Sequence, residues 1–124
     1  MKNMKITSLV LWVADATLSV KWYKKIGFEV VNVTDRDATV LCNGFEIMLV
    51  TMRDEEEFNK DSLAGVKGKG MYVYVHVDDV DTKYAELTKL GITLSSEPRD
   101  WPWGNREFVV HDLDGYKLCF WHKP

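Results

Sequence analysis

The chain is written twice. Shifted by 64 positions, Val13, Asp15, Lys25, Ile26, Gly27, Phe28 and Val30 fall on Val77, Asp79, Lys89, Leu90, Gly91, Ile92 and Leu94. A repeat constrains a fold more than any composition does, because both halves carry the same local instructions and must bury the same faces. It also pairs positions across the halves, so the chemistry of one can be read against the other.

In the first half, residues 6–13 read as a strand, with Leu9, Leu11 and Val13 on one face and Ser8, Val10 and Trp12 on the other. Asp15 caps a helix over 17–26, whose Leu18, Trp22 and Ile26 recur at helical spacing and which Gly27 stops. Residues 28–33, 39–42 and 45–51 read as three more strands, with Asn43-Gly44 as the strongest hairpin signal in the chain. The second half repeats the plan. A strand over 71–77 leads to Asp79 and a helix over 80–90, with Val80, Tyr84 and Leu87 on one stripe and Gly91 at its end. Strands over 92–95, 106–110 and 116–121 follow, with Asp114-Gly115 as the matching hairpin. Between the halves, 52–69 is polar and charged and reads as a linker with one short helix over 54–58. Its Gly65-Val66-Lys67-Gly68-Lys69-Gly70 lacks the Gly-Lys-Ser/Thr ending of a phosphate loop.

The expected fold is α+β: one domain over 1–124, made of two βαβββ modules (about 5–51 and 70–122) whose curved sheets form a shared cleft. The reason is burial. Each sheet has a helix on one face only, and the other face carries Val10, Trp12, Tyr72 and Tyr74, which cannot stay in water cheaply. Sixteen Lys and Arg against nineteen Asp and Glu give a net charge of −3, which provides no basic face for nucleic acid. No apolar run of about 18 residues predicts a membrane span, and residues 1–5 lack the apolar core of a secretory signal. Cys42 and Cys119 have no disulfide-framework spacing, so a cytoplasmic protein with reduced thiols is expected.

A doubled βαβββ unit with this punctuation resembles the vicinal oxygen chelate superfamily of glyoxalases, ring-cleaving dioxygenases and drug-sequestering resistance proteins. The sharpest stretch is Pro102-Trp103-Gly104-Asn105-Arg106-Glu107-Phe108 followed by Asp112-Leu113-Asp114-Gly115-Tyr116. It is similar to the bleomycin-resistance branch, with Leu113 standing where that branch usually has proline. Val13-x-Asp15 with Trp22-Tyr23 and Ile26-Gly27-Phe28 resembles the family's opening helix.

In the family's metalloenzymes, four side chains hold a divalent cation, two from the first strand and two from the last strand of the modules. The repeat locates the matching positions at Ser8, Met48, Tyr72 and Cys119. A hydroxyl, a thioether, a phenol and a thiol do not suit a hard or borderline divalent cation, so no metal and no cofactor are assigned. Glu46 and His76 share strand faces with Met48 and Tyr72 and read as rim or wall residues. His111, near a turn, and His122, at the tail, read as surface residues. No catalytic residue is assigned either: there is no Gly-x-Ser-x-Gly elbow, and neither cysteine has a basic partner in sequence.

What remains is an aromatic cleft. Strand alternation aims Trp12, Tyr72, Tyr74 and Trp121 inward, and Trp101 and Trp103 flank a proline in a loop suited to a rim. The candidate ligand-binding set is Ser8, Val10, Trp12, Glu46, Met48, Tyr72, Tyr74, His76, Trp101, Trp103, Cys119 and Trp121. In the resistance branch the similar Pro-Trp-Gly segment lines the drug site, which implies that role for Trp103. The expected function is metal-free sequestration of a flat aromatic or cationic small molecule; the alternative is a metal-dependent lyase, isomerase or dioxygenase of the same superfamily. The resemblance also implies a homodimer and a link to antibiotic resistance, although the motif follows the pocket's shape more than its cargo.

Overall fold

Asp15 and Asp79 start the two helices around which the chain is organised. Asp15 Oδ1 accepts the backbone N–H groups of Thr17 (2.9 Å) and Leu18 (3.2 Å). Asp79 Oδ1 accepts those of Asp81 (2.9 Å) and Thr82 (3.3 Å). These caps satisfy first-turn donors of α1 (Ala16–Ile26) and α2 (Val80–Lys89). Both helices also end alike. The Phe28 N–H reaches the Tyr23 carbonyl and the Gly27 N–H that of Lys24, as Ile92 reaches Leu87 and Gly91 reaches Thr88. Gly27 (φ 120°) and Gly91 (φ 77°) supply the positive φ this closure needs. The repeated Ile-Gly-Phe and Leu-Gly-Ile are therefore two copies of one helix stop.

In the computed structural model, which describes residues 3–52 and 66–124, the chain forms two compact units, Met1–Gly65 and Val66–Pro124. The short helix expected over 54–58 lies outside the described residues. The first unit contains β1 (Ser8–Val13), β2 (Glu29–Val33), β3 (Asp37–Cys42) and β4 (Phe45–Thr51) in the order β1-β4-β3-β2. The second contains β5 (Val73–His76), β6 (Arg99–Asp100), β7 (Arg106–His111) and β8 (Lys117–His122) in the order β5-β8-β7-β6. In each sheet the first strand runs parallel to the last, and the other pairs are antiparallel. Val10 pairs with Met48 as Tyr74 pairs with Cys119, so the repeat extends to register.

Each helix covers one face of its own sheet. In the first unit, Ala16, Val20, Tyr23 and Ile26 of α1 are buried, as are Leu11, Val13, Ala38, Val40, Ile47 and Leu49 of the sheet. The expected stripe of Leu18, Trp22 and Ile26 is corrected at two of its three positions: Leu18 is 55% exposed and Trp22 only half-buried. The helix stop decides the rotation, because Phe28 folds back edge-on to Tyr23 (ring centroids 5.2 Å apart) and turns that side of the helix inward. In the second unit the expected stripe holds. Val80 and Leu87 are buried, and Tyr84 meets Phe108 edge-on at 5.3 Å.

Three local expectations change. Residues 92–95 are not a strand. The Ser95 N–H donates to the Val109 carbonyl (3.1 Å), and the Ser96 hydroxyl accepts the Val109 N–H (2.9 Å). A side chain thus takes over a ladder bond, and regular pairing resumes only at Arg99 opposite Glu107. Asp114-Gly115 is not a copy of Asn43-Gly44. Asn43 (φ 45°) and Gly44 (φ 87°) form a two-residue turn, whereas Asp112 brackets a three-residue loop that ends in Gly115 (φ 94°). His122, expected as a surface residue, is half-buried. Its Nδ1 accepts the Val80 N–H at 2.9 Å, as Thr51 Oγ1 accepts that of Ala16 at 3.1 Å, so the last strand of each unit ends by capping that unit's helix.

Candidate functional site

Strand pairing assembles the site on the face of the second sheet opposite α2. Paired residues share a face. Tyr74 and Val109 both lie beside Cys119, and His76 and Glu107 both lie beside Trp121. A pocket of about 240 Å³ opens here, lined by Tyr72, Tyr74, Trp101, Trp103, Glu107, Val109 and Cys119. A wider groove of about 540 Å³ in the first unit, beside Lys5, Ile6 and the Asn43-Gly44 turn, has no aromatic wall beyond Phe45. The smaller pocket is the better candidate because its polar groups converge.

Its rim is built by a loop of the same kind as Asp112–Gly115. The Trp101 N–H donates to the Asn105 carbonyl (2.8 Å), the Gly104 N–H donates to the Trp101 carbonyl (3.0 Å), and Gly104 has φ 93°. Pro102 fits the first position of such a turn because its ring already fixes φ. The geometry stacks Trp101 on Trp103 with centroids 4.7 Å apart and planes 13° from parallel. The Arg99 guanidinium lies 3.5 Å from the Trp101 ring centroid, a cation on the stack. Trp103 nevertheless stays 56% exposed.

Glu107 anchors the floor. It is only 4% exposed, and its carboxylate accepts from the Tyr74 hydroxyl (3.3 Å, Oε1), the Trp103 indole N–H (3.1 Å, Oε2) and the Asn105 amide (3.2 Å, Oε2). These donors are all neutral. The next residue, Arg106, points to the helix side and binds Asp81 through two nitrogens (2.9 Å each), with Asp100 at 3.3 Å. That pairing holds the Asp81 carboxyl below its usual range. Burial, the neighbouring Cys119 and the bond to Glu107 push the Tyr74 hydroxyl up to about 12. Burial and the Glu107 charge likewise push the Cys119 thiol up to about 12. Both groups stay protonated at neutral pH, so Cys119 is a poor nucleophile.

The structure thus gathers Tyr72, Tyr74, Trp101, Trp103 and Cys119 around one pocket. His76 and Trp121 lie further along the same face, with rings edge-on at 4.8 Å, and do not line it. Ser8, Val10, Trp12, Glu46 and Met48 share one face of the first unit's sheet, with Ser8 opposite Glu46 and Val10 opposite Met48. Two residues that line the pocket, Glu107 and Val109, are not among the site residues read from the sequence, nor is Asn105, which donates to Glu107. The signal for two of them was present. Alternation along a strand over 106–110 puts Glu107 and Val109 opposite Phe108 and Val110.

A model of the Glyoxalase/Bleomycin resistance protein/Dioxygenase superfamily matches residues 5–120. The chain belongs to that superfamily. Among solved structures it is similar to a glyoxalase/bleomycin resistance protein/dioxygenase from Nocardioides, with 24% identity, TM-score 0.77, and 98% of this chain and 88% of that one covered. It is also similar to TioX from Micromonospora sp. ML1, with 25% identity, TM-score 0.74, and 98% and 100% covered. A third similar fold is a superfamily member from Sphaerobacter thermophilus DSM 20745, with 24% identity, TM-score 0.74, and 98% of each chain covered. The curated proteins offer no match.

The superfamily's metalloenzymes raise the question of whether these residues could hold a divalent cation. The donor set does not fit one. Tyr72 offers a phenol, and its ring face is already taken by the Lys117 ammonium, 4.3 Å from the centroid. Cys119 supplies the only thiol of the four positions. Ser8 and Met48 supply only a hydroxyl and a thioether. Among the described residues, no three His, Cys, Asp or Glu side chains cluster as a metal site.

Proposed function

We propose that this superfamily member binds and sequesters a flat aromatic or cationic small molecule without a metal, in the aromatic pocket of the second unit. The observation that carries this reading is Trp103. Its ring is stacked on Trp101 and its N–H is tied to Glu107, yet more than half of its surface faces solvent. A tryptophan fixed so firmly and left open is a stacking platform with little left to lose in entropy on binding. Tyr72 and Tyr74 add further ring surface, while the protonated Cys119 offers no covalent chemistry.

Titration with planar cationic compounds, a bleomycin among them, tests the reading through tryptophan fluorescence. The expected result is saturable quenching, weakened by Trp103→Ala by about two- to tenfold, the scale of one aromatic pair. No quenching across a panel of such compounds would remove the pocket reading. Stoichiometric transition metal in purified protein, whose removal abolishes a lyase, isomerase or dioxygenase activity, would replace it with the enzymatic one. The superfamily resemblance also favours a homodimer, and light scattering at 14.3 kDa would reject that.

A further inference from the structure

Glu107 has a role that holding Trp103 does not exhaust. A glutamate this buried is normally matched by a cation, because burying an unpaired charge is costly. Here the partners of the carboxylate, namely Tyr74, Trp103, Asn105 and the Cys119 thiol, are all neutral, and among the described residues no lysine, arginine or histidine pairs with it. The nearby cations are engaged elsewhere: Arg99 on Trp101, Lys117 on Tyr72 and Lys123 on the Asn105 side-chain Oδ1 at 3.4 Å. The two carboxylate oxygens also differ. Oε2 takes two bonds, from Trp103 and Asn105, whereas Oε1 takes one long bond from Tyr74. The long Tyr74 bond and the weak thiol donor Cys119 are the bonds of this carboxylate that a charged N–H donor can displace, on a residue that lines the pocket.

We infer that Glu107 is the specificity residue of this pocket, and that the ligand it selects is a planar cation bearing an N–H donor: an amidinium, a guanidinium or a protonated ring nitrogen. This rests on the reading of the pocket as a binding site. The ring would stack on Trp103 while its N–H bonds Oε1, supplying the charge the carboxylate lacks. Size bounds the class further. A cavity of about 150 Å³ holds benzene, so 240 Å³ admits a portion of one or two fused rings. The inferred preference is an N–H cation first, a quaternary cation of the same shape second and a neutral isostere last. Charge attracts the first two, and only the first completes the hydrogen bond.

The test is calorimetric titration of wild-type protein with naphthamidine, its neutral isostere naphthamide and the quaternary N-methylquinolinium, repeated on Glu107→Gln. Naphthamidine should bind wild type more tightly than naphthamide by about tenfold or more, the scale of a charge-assisted hydrogen bond, with N-methylquinolinium between them. Glu107→Gln keeps an acceptor for Trp103 and Asn105, so it should bind naphthamide nearly as before and lose the preference for the amidine. A purely structural role for Glu107 would weaken all three compounds together. Equal binding of amidine and amide by wild type overturns the inference and leaves the pocket reading standing, as does a preference that survives in Glu107→Gln. Failure of all three to bind overturns both. Should Glu107→Gln not fold, as judged by its thermal transition, the wild-type series decides alone.

Discussion

Tyr74 and Glu107 meet across the central strand β8: the Tyr74 hydroxyl on β5 donates to Glu107 Oε1 on β7 at 3.3 Å, on the face that carries Cys119. One bond therefore bridges two strands that do not pair. It also groups a carboxylate, a phenol and a thiol, of which the phenol and the thiol are held protonated.

The bridge gives alkaline pH a defined effect. The Tyr74 hydroxyl is raised from 10 to about 12. A group raised in the folded state contributes stability that is fully present below its unfolded value and is lost as pH rises through its folded value. Tyr74 accordingly stabilises the fold up to about pH 10, by an amount that solvent screens because the residue is 51% exposed, and that contribution disappears by about pH 12. Ultraviolet titration should show a tyrosinate that forms late, and Tyr74→Phe should remove it. At neutral pH the same variant should lose about 1 kcal/mol in urea unfolding, the worth of one hydrogen bond. A Tyr74→Phe protein with the full late-titrating signal would show that the bridge is not the cause.

Thiol reactivity reports on the same cluster. Cys119 is 1% exposed and its thiol is raised to about 12, whereas Cys42 is half-buried. Native protein at mildly alkaline pH should present one fast thiol and one slow thiol to an aromatic disulfide reagent, since the thiolate is the reactive form. Cys42→Ser should abolish the fast phase and leave the slow one. Two equally fast thiols would contradict the burial of Cys119.

Much of this was legible in the chain, and the reasons are local. Asp15 and Asp79 read as caps because a short acidic side chain before a helical stripe has few other uses, and both cap as expected. Asn43-Gly44 read as a tight hairpin because two consecutive positive φ values strongly favour such residues. The errors have equally local causes. Leu18 and Tyr23 both lie on plausible stripes of α1, and only the fold-back of Phe28 onto Tyr23 decides between them. Residues 92–95 have strand composition, but the Ser96 hydroxyl takes the Val109 N–H that a strand would need. Glu107 does not announce itself as a site residue in the sequence, because the neutral donors Tyr74, Trp103 and Asn105 that receive it converge only in three dimensions.

Gly68 and Gly115 separate backbone strain from steric conflict. Both have positive φ, at 70° and 94°. A Cβ on Gly115 would meet open space, whereas one on Gly68 would lie 2.8 Å from Tyr116 Cδ1 and 3.3 Å from Tyr116 Cα. Gly115→Ala should therefore cost about 1 kcal/mol, the left-handed penalty alone. Gly68→Ala should cost about 1–3 kcal/mol more, because the Tyr116 ring must move from its packed position. Equal losses in denaturant unfolding would mean that Gly68 does not touch Tyr116.

The rim loop allows stability and binding to be perturbed without touching any ring. Trp103 stands between Pro102, whose fixed φ favours the turn, and Gly104, whose φ of 93° completes it. Pro102→Ala leaves that path open to the backbone and releases only unfolded-state entropy, so it should cost about 0.4–1 kcal/mol and leave ligand quenching nearly intact. Gly104→Ala has no steric obstacle, since nothing lies within 4 Å of the added carbon, but it forces an alanine into the left-handed region. It should cost about 1–2 kcal/mol. Relief of that strain would shift the loop and break the parallel stacking of Trp103 on Trp101. Planar compounds should then quench fluorescence less in Gly104→Ala even though every tryptophan is still present. If Gly104→Ala instead quenches like wild type, Trp103 is positioned by its bond to Glu107 rather than by the turn.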